Sequence, residues 1–325
     1  MGSDGMLMRD VLIHRIHKGM REDEKIFLLT ADMGAPALDR LLVEFPDRCI
    51  NVGIAEQNLV SVATGLSLEG FTVFAYGIAP FITMRAYDQT RVGLSLLSHL
   101  RALNVILLGV GVGFSYEVSG PTHHCVEDLT IMRLLPNMAV CSPGDGATVE
   151  AFYEFALTEP GPKYLRLDAK PAPAIYESIS EVDFRRGFHE FPGSGDACIV
   201  STGYPTQRAL RLREEMEREG VRIGVVDMFL LQPMDDAALA KVLYKYRRIF
   251  SFEESFIGKG GLDALVSNVL RRFGVPATLE SFGLSGGYVF ENGGREHLYR
   301  VYGMDDESIL GRLRSVPSPP FRIPA

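Results

Sequence analysis

The sequence predicts an α/β protein built from two doubly wound, mostly parallel sheets. Three observations carry that expectation. Strand-length apolar runs alternate with helix-period stretches from residue 7 to residue 168. The alternation breaks over residues 169–195, where Pro171, Pro173, Pro192, Gly193 and Gly195 fall, and then resumes up to residue 282. A length of 325 residues also exceeds what one ordinary core sustains. The expected organisation is a first domain over 1–170, a linker over 171–195 and a second domain over 196–325.

Taken in order, residues 7–20 read as an amphipathic helix and 25–30 as the first strand, followed by Asp32 and Met33. Asp32 lies where open α/β sheets place their ligands, although a plain turn aspartate fits as well. A helix over 38–45 and a strand over 48–52 lead to Asn51-Val-Gly-Ile-Ala-Glu-Gln-Asn58. There Glu56 opens a helix with Leu59, Val62, Ala63 and Leu66 at i, i+3, i+4 and i+7, closed by Gly70. A carboxylate in that first turn either favours the helix dipole or serves a site. Strand 71–76, helix 79–97 and the buried strand 104–108 precede a Gly-rich loop over 109–124. Helix 127–134, strand 138–142, helix 145–157 and strand 164–168 complete the first set. In the second set, strands 196–202, 221–228, 248–253 and 277–282 alternate with helices 204–219, 235–246 and 262–273. A Pro-rich tail, Pro317 to Pro324, ends the chain.

Composition excludes several classes of partner. With 33 basic against 41 acidic side chains the net charge is −8, which argues against a nucleic-acid backbone or an anionic membrane. Cys49, Cys125, Cys141 and Cys198 show no CxxC pair or metal spacing, and the first residues carry no signal pattern. A reduced, cytoplasmic setting is the expectation.

Three post-strand loops should meet at one carboxyl-end face: 53–58, 76–85 and 109–124. The third presents His123 and His124 in a glycine-rich turn, a setting more typical of function than of core. Phe81 stands at the mouth of the face, where an aromatic is ordinarily packing. A dinucleotide fingerprint fails, because Gly109-Val-Gly-Val-Gly-Phe114 has Phe at the third glycine position. The sequence has no Walker A lysine motif, and no nucleophile elbow is expected.

Four ordered motifs carry a resemblance: Asn51-Val-Gly-Ile-Ala-Glu-Gln-Asn58, Arg85-Ala-Tyr-Asp-Gln89, Gly120-Pro-Thr-His-His-Cys-Val-Glu-Asp128 and Leu135-Pro-Asn-Met-Ala-Val-Cys-Ser-Pro143. Together with Ser201-Thr-Gly-Tyr204 and Phe252-Glu-Glu254, they resemble the transketolase family, and most closely the C-terminal section of its split form. The resemblance implies a pyrimidine-binding thiamine diphosphate domain followed by a transketolase C-terminal domain. It places Glu56 at N1′ of the cofactor's aminopyrimidine, a carboxyl group in an apolar cleft that helps make thiazolium C2 a nucleophile. Phe81 matches the aromatic stacked on that ring, and Ile78 takes the place of a neighbouring aromatic. Arg85 belongs to the cofactor motif, and Asp32 and Met33 match positions beside the thiazolium. His123 matches a histidine that moves protons and touches substrate oxygens, with His124 and Ser119 as weaker substrate candidates.

The same resemblance implies that Mg²⁺ and the diphosphate are held elsewhere. The family's Gly-Asp-Gly with a downstream Asn lies on a preceding domain, whereas Gly144–Gly146 here opens a helix with no such Asn following. A partner chain should therefore supply the metal ligands. The expected assembly is a heterotetramer with two copies of each chain. The implied activity is ketol or acyl transfer from a ketone donor to an aldehyde acceptor. The β subunit of a 2-oxo acid dehydrogenase E1 and a non-catalytic regulatory subunit share the fold and stay open as alternatives. The family's phosphate-gripping Ser, His and Arg align with residues 34–37, Gly111 and Ala169, and its hydroxyl-reading Asp with Ser119. Lys170 and Arg166 are the cations left to take an anion.

Overall fold

The computed structural model describes residues 6–315; the Pro-rich tail and the first residues lie outside them. The first half runs α1 (Met8–Glu22), β1 (Ile26–Thr30), α2 (Pro36–Glu44), β2 (Cys49–Asn51), α3 (Glu56–Leu68) and β3 (Thr72–Ile78). A helical run follows: a π turn at Phe81–Arg85, the single turn α4 (Tyr87–Gln89), a π stretch at Thr90–Leu96 and a 3₁₀ turn at Leu97–His99. The regular helix expected over 79–97 is therefore broken into wide and tight turns. Then come β4 (Asn104–Val110), α5 (Asp128–Arg133), β5 (Ala139–Cys141), α6 (Gly146–Thr158) and β6 (Lys163–Leu167).

Residues 169–195, expected to be irregular, hold a 3₁₀ turn at Ile179–Glu181 and a strand, β7 (Phe188–Phe191). The second half continues with β8 (Ala197–Ser201), α7 (Tyr204–Arg218), β9 (Gly224–Met228), β10 (Leu230–Gln232), α8 (Asp236–Leu243) and β11 (Arg248–Phe256). It closes with α9 (Leu262–Phe273), β12 (Thr278–Leu284), α10 (Arg295–Val301) and α11 (Asp306–Ser315).

Both sheets are mostly parallel with helices on both faces, as the alternation requires. The larger has the order β10-β5-β6-β4-β3-β1-β2 and the smaller β12-β11-β8-β9-β7. Each carries one antiparallel edge: β10 beside β5, with Leu230 opposite Cys141, and β7 beside β9, with Phe188 opposite Met228. The strands of the larger sheet are nearly wholly apolar, because both faces are covered. Leu28, Phe74, Ile106 and Leu165 lie against α1 and α6, while Leu29, Ala75, Leu107 and Val140 face α3 and α5.

β10 changes how the two halves relate. The chain leaves the smaller sheet at β9 and, two residues later, adds a strand to the larger one. Gln232 then donates to the carbonyls of Leu135 and Met138 at 2.8 and 3.0 Å, bonds worth about 0.5–1.5 kcal/mol each. The two sheets are thus joined by continuous backbone at a sheet edge, apart from the segment over 169–195. This fixes the second domain against the loops of the first.

Candidate active site

β2, β3 and β4 point their carboxyl ends the same way, with β1 between β3 and β2. The loops that follow them meet as expected. Glu56, first residue of α3, is 3% exposed, where helix amides and the positive end of the helix dipole favour a carboxylate. Its Oε2 accepts a bond of 2.6 Å from Arg85 Nη1. The Arg85 guanidinium in turn lies 4.5 Å from the centroid of the Phe81 ring. Phe81 meets His123 edge to face at 5.4 Å, and Tyr116 meets the same imidazole at 6.3 Å. Glu56, Arg85, Phe81, His123 and Tyr116 form one contiguous row drawn from three loops.

One expectation needs correcting. The surroundings of Glu56 are not purely apolar, since a guanidinium faces the carboxylate. A buried carboxylate without a partner is costly, and the turn ending at Arg85 supplies a cation to offset it. Arg85, expected at the cofactor, therefore engages the carboxylate itself. Glu56 Oε1 takes no hydrogen bond among the described residues and stays available.

The end of β1 is tied to the turn before Glu56. Asp32 has φ 52°, the one non-glycine positive φ among the described residues, and Asp is among the types that tolerate it. Its amide donates to Asn51 Oδ1 at 3.0 Å, and Asn51 Nδ2 returns a bond of 2.9 Å to Asp32 Oδ1. The same Asn51 oxygen accepts Gly53 N at 2.9 Å. Met33, half-buried, has its amide 3.3 Å from Thr30 Oγ1. Ile78, also half-buried, ends β3.

The two histidines part company. His123 is half-buried in the row, with Nδ1 3.0 Å from Thr122 Oγ1. His124 is 3% exposed and turns toward the second domain, edge-on to Phe114 at 5.2 Å, with Nε2 3.4 Å from Glu117 O. Burial pushes its pKa down. Ser119 is exposed, its amide bonded to Tyr116 O at 2.9 Å. In Gly144–Gly146, Asp145 is a helix cap: it accepts from Thr148 N and Oγ1 at 2.9 and 2.7 Å and from the amides of Ile175 and Tyr176 at 2.8 and 3.0 Å. Among the described residues no three His, Cys, Asp or Glu side chains are grouped to hold a metal ion.

Comparison with known proteins decides the lineage. Residues 4–172 match the family described as "Transketolase, pyrimidine binding domain", and residues 192–309 match "Transketolase, C-terminal domain". The chain belongs to the transketolase family. It is 30% identical to an apulose-4-phosphate transketolase subunit of Actinobacillus succinogenes, over 93% of this chain and 96% of that one. It is 30% identical to 6-deoxy-6-sulfo-D-fructose transketolase subunit SqwH of a Clostridium species, over 86% and 87%. A solved structure described as "Split gene transketolase, inactive beta4 tetramer" superposes with a TM-score of 0.83 at 30% identity, covering 95% of this chain and 98% of that one.

In this transketolase chain the positions that the resemblance aligns with a phosphate grip are filled in other ways. Gly111 has φ 90°, and a Cβ there would overlap the Tyr116 ring, so the phenol takes the space of a side chain at that position. Arg166 is fully engaged, with Nε and Nη2 on Asp128 at 2.6 and 3.1 Å and Nη1 on Ser142 at 3.2 Å. Lys170 donates to Glu117 at 3.0 Å. Beside Ala169, Asp168 is held by Arg295 from the second domain at 2.5 Å. Sequence reasoning assigned no task to Asn51, Tyr116, Glu117, Glu254 or Arg295. Only Asn51 and Glu254 had a local signal, as members of family-like motifs.

Proposed function

We propose that this chain is the small subunit of a two-chain, thiamine-diphosphate-dependent transketolase that moves a ketol or acyl unit from a ketone donor to an aldehyde acceptor. The observation that carries this is the row Glu56–Arg85–Phe81–His123, assembled from three loops on one sheet face. The side chains fit an aminopyrimidine: a buried carboxylate with one oxygen available, a half-buried phenyl ring, and Ile78 as apolar wall. When bound, the cofactor supplies the nucleophilic carbon that carries the transferred unit.

The chain's own residues have separable tasks. Glu56 holds the hydrogen bond at the ring nitrogen N1′. Phe81 offers an aromatic face, a contact worth about 0.5–1.5 kcal/mol beyond its area. Arg85 must share or yield both groups: its own side chain, 40% exposed, can turn to water, and the bond at N1′ then takes over as partner of the buried Glu56 carboxylate. The Asp32–Asn51 exchange of bonds fixes the turn that delivers Glu56. His123 presents an imidazole to substrate oxygens from the next loop. A partner chain brings the Mg²⁺ and diphosphate contacts, since Asp145 is wholly committed to its helix cap. Relatives of matching length are named as transketolase subunits, which supports the two-chain reading.

The test is co-expression with the partner chain, cofactor titration of the complex and a screen of ketone donors. Cofactor-dependent transfer to an aldehyde is expected from the complex and not from either chain alone. Decarboxylation of a 2-oxo acid without transfer to any aldehyde would overturn the reading.

A further inference from the structure

The loop over 111–124 is held from outside its own domain. At its start, a Cβ on Gly113 would overlap the Glu254 carboxylate, and Phe114 N donates to Glu254 Oε2 at 3.2 Å. In its middle, Glu117 accepts from the backbone amide of Arg295 at 2.8 Å and from Lys170 Nζ at 3.0 Å. At its end, the backbone carbonyl of the same Glu117 faces His124 Nε2 at 3.4 Å, one residue from His123. Arg295 joins these contacts. It is 5% exposed, it donates to both oxygens of Glu254 at 2.6 Å and to Asp168 at 2.5 Å, and its guanidinium lies 3.7 Å from the Tyr204 ring centroid.

We propose that Arg295 is a positioning residue: the second domain uses its guanidinium and its backbone amide to set the pose of the loop that presents His123. The energetics favour geometry over glue. A buried ion pair gains little over well-packed apolar side chains, and its specific worth is the arrangement it enforces. Arg295 does not touch the Glu56 row. It acts through Glu254 on Phe114 and through Glu117 on His124, and so on one of the three loops only. Its effect on turnover rests on the proposed transketolase function; its effect on the loop does not.

Two measurements test it on Arg295→Lys and on Glu117→Ala, which removes the loop's own anchor at a partly exposed site. Arg208→Lys is the control: that arginine is equally buried, lies 4.4 Å from the Tyr299 ring and pairs with Glu296 and Asp306, but makes no bond to the loop. Hydrogen exchange on the full chain should speed up over 111–124 in both test variants while β4 and β6 stay protected. Arg208→Lys should leave that loop at its wild-type rate. In the reconstituted enzyme Arg295→Lys should lower kcat by up to about 10²-fold, the cost of a small misplacement, with the cofactor concentration at half-saturation unchanged. Wild-type exchange over 111–124 in both variants would overturn the proposal. So would a uniform rise across the chain that matches Arg208→Lys. If the wild-type complex transfers nothing, the proposed function fails, and the exchange measurement still decides the role of Arg295.

Discussion

Replacing Glu56 with Gln separates fold from function. The substitution keeps side-chain size and an acceptor oxygen and removes the charge that Arg85 meets at 2.6 Å. A hydrogen bond to a charged group is worth about 1.5–3 kcal/mol, and a pair with one partner as exposed as Arg85 falls toward about 0–1 kcal/mol. The net loss should be about 1 kcal/mol, or about 1–2 °C in Tm for a chain of 325 residues. Assembly should survive. Loss of an essential proton contact, by contrast, costs about 10²–10⁴-fold in rate. The assay pairs a thermal melt with proton–deuterium exchange at cofactor C2 in the reconstituted complex. Near-normal melting with exchange slowed at least about 10²-fold is expected. Wild-type exchange would remove Glu56 from the chemistry, and a melt lowered by more than about 10 °C would make it a structural residue first.

Three other outcomes are expected. The isolated chain should bind thiamine diphosphate too weakly for calorimetry, because pyrimidine contacts alone must offset the cost of association; micromolar, Mg²⁺-dependent binding would refute the half-site. Unphosphorylated ketose and aldose should match or exceed xylulose 5-phosphate with ribose 5-phosphate in steady-state kcat/KM, and a strong preference for the phosphorylated pair would refute that. Burial lowers the Lys163 ammonium from 10.5 to about 8, with the neutral oxygens of Asn104 and Gly161 as its hydrogen-bond partners. The folded chain then binds fewer protons there than the unfolded one between those values, so stability should rise with pH from about 8 to 10.5, the cost being full below 8. Lys163→Met should raise Tm at pH 7 and flatten that rise; an unchanged slope would refute the assignment.

What the sequence disclosed follows from which interactions are local. Helix and strand periods are local, so the alternation and the start of α3 at Glu56 could be read directly. The meeting of three loops followed from one rule about carboxyl ends in parallel sheets. Pairing between distant segments is not local, and there the reading stopped. β10 is three residues long and lies in sequence between β9 and α8, so nothing nearby says that it crosses to β5. β7 hid in a Pro- and Gly-bearing stretch, and α10 and α11 follow a glycine-rich segment where no helix was expected. The Arg85–Glu56 pair joins residues of two family-like motifs, yet spacing gave no hint that one would engage the other. Gly111 looked like a lost side chain, and only the fold brings the Tyr116 ring into its place.

The charge arrangement around the face fits the proposal that this chain carries half a site. Four cations around that face, Arg85, Arg166, Lys170 and Arg295, are each already bonded to a carboxylate of the same chain. Their availability to an incoming anion differs widely. Freeing Arg166 would leave Asp128, fully buried, without its cation, and breaking such a pair costs about 3–5 kcal/mol. Arg295 is held by two buried carboxylates and is costlier still to free. Arg85 serves the buried Glu56 and stands over the Phe81 ring, at the pyrimidine end of the face in the proposed function. Lys170 and Glu117 are partly exposed, and that pair yields for about 0–1 kcal/mol. Away from the pyrimidine end, a single lysine is therefore the one cheap anion contact this group offers, too little for a diphosphate with its metal. Under the proposed function the anion-binding half is expected on another polypeptide, with this chain supplying the carboxylate, the aromatic face and the imidazole.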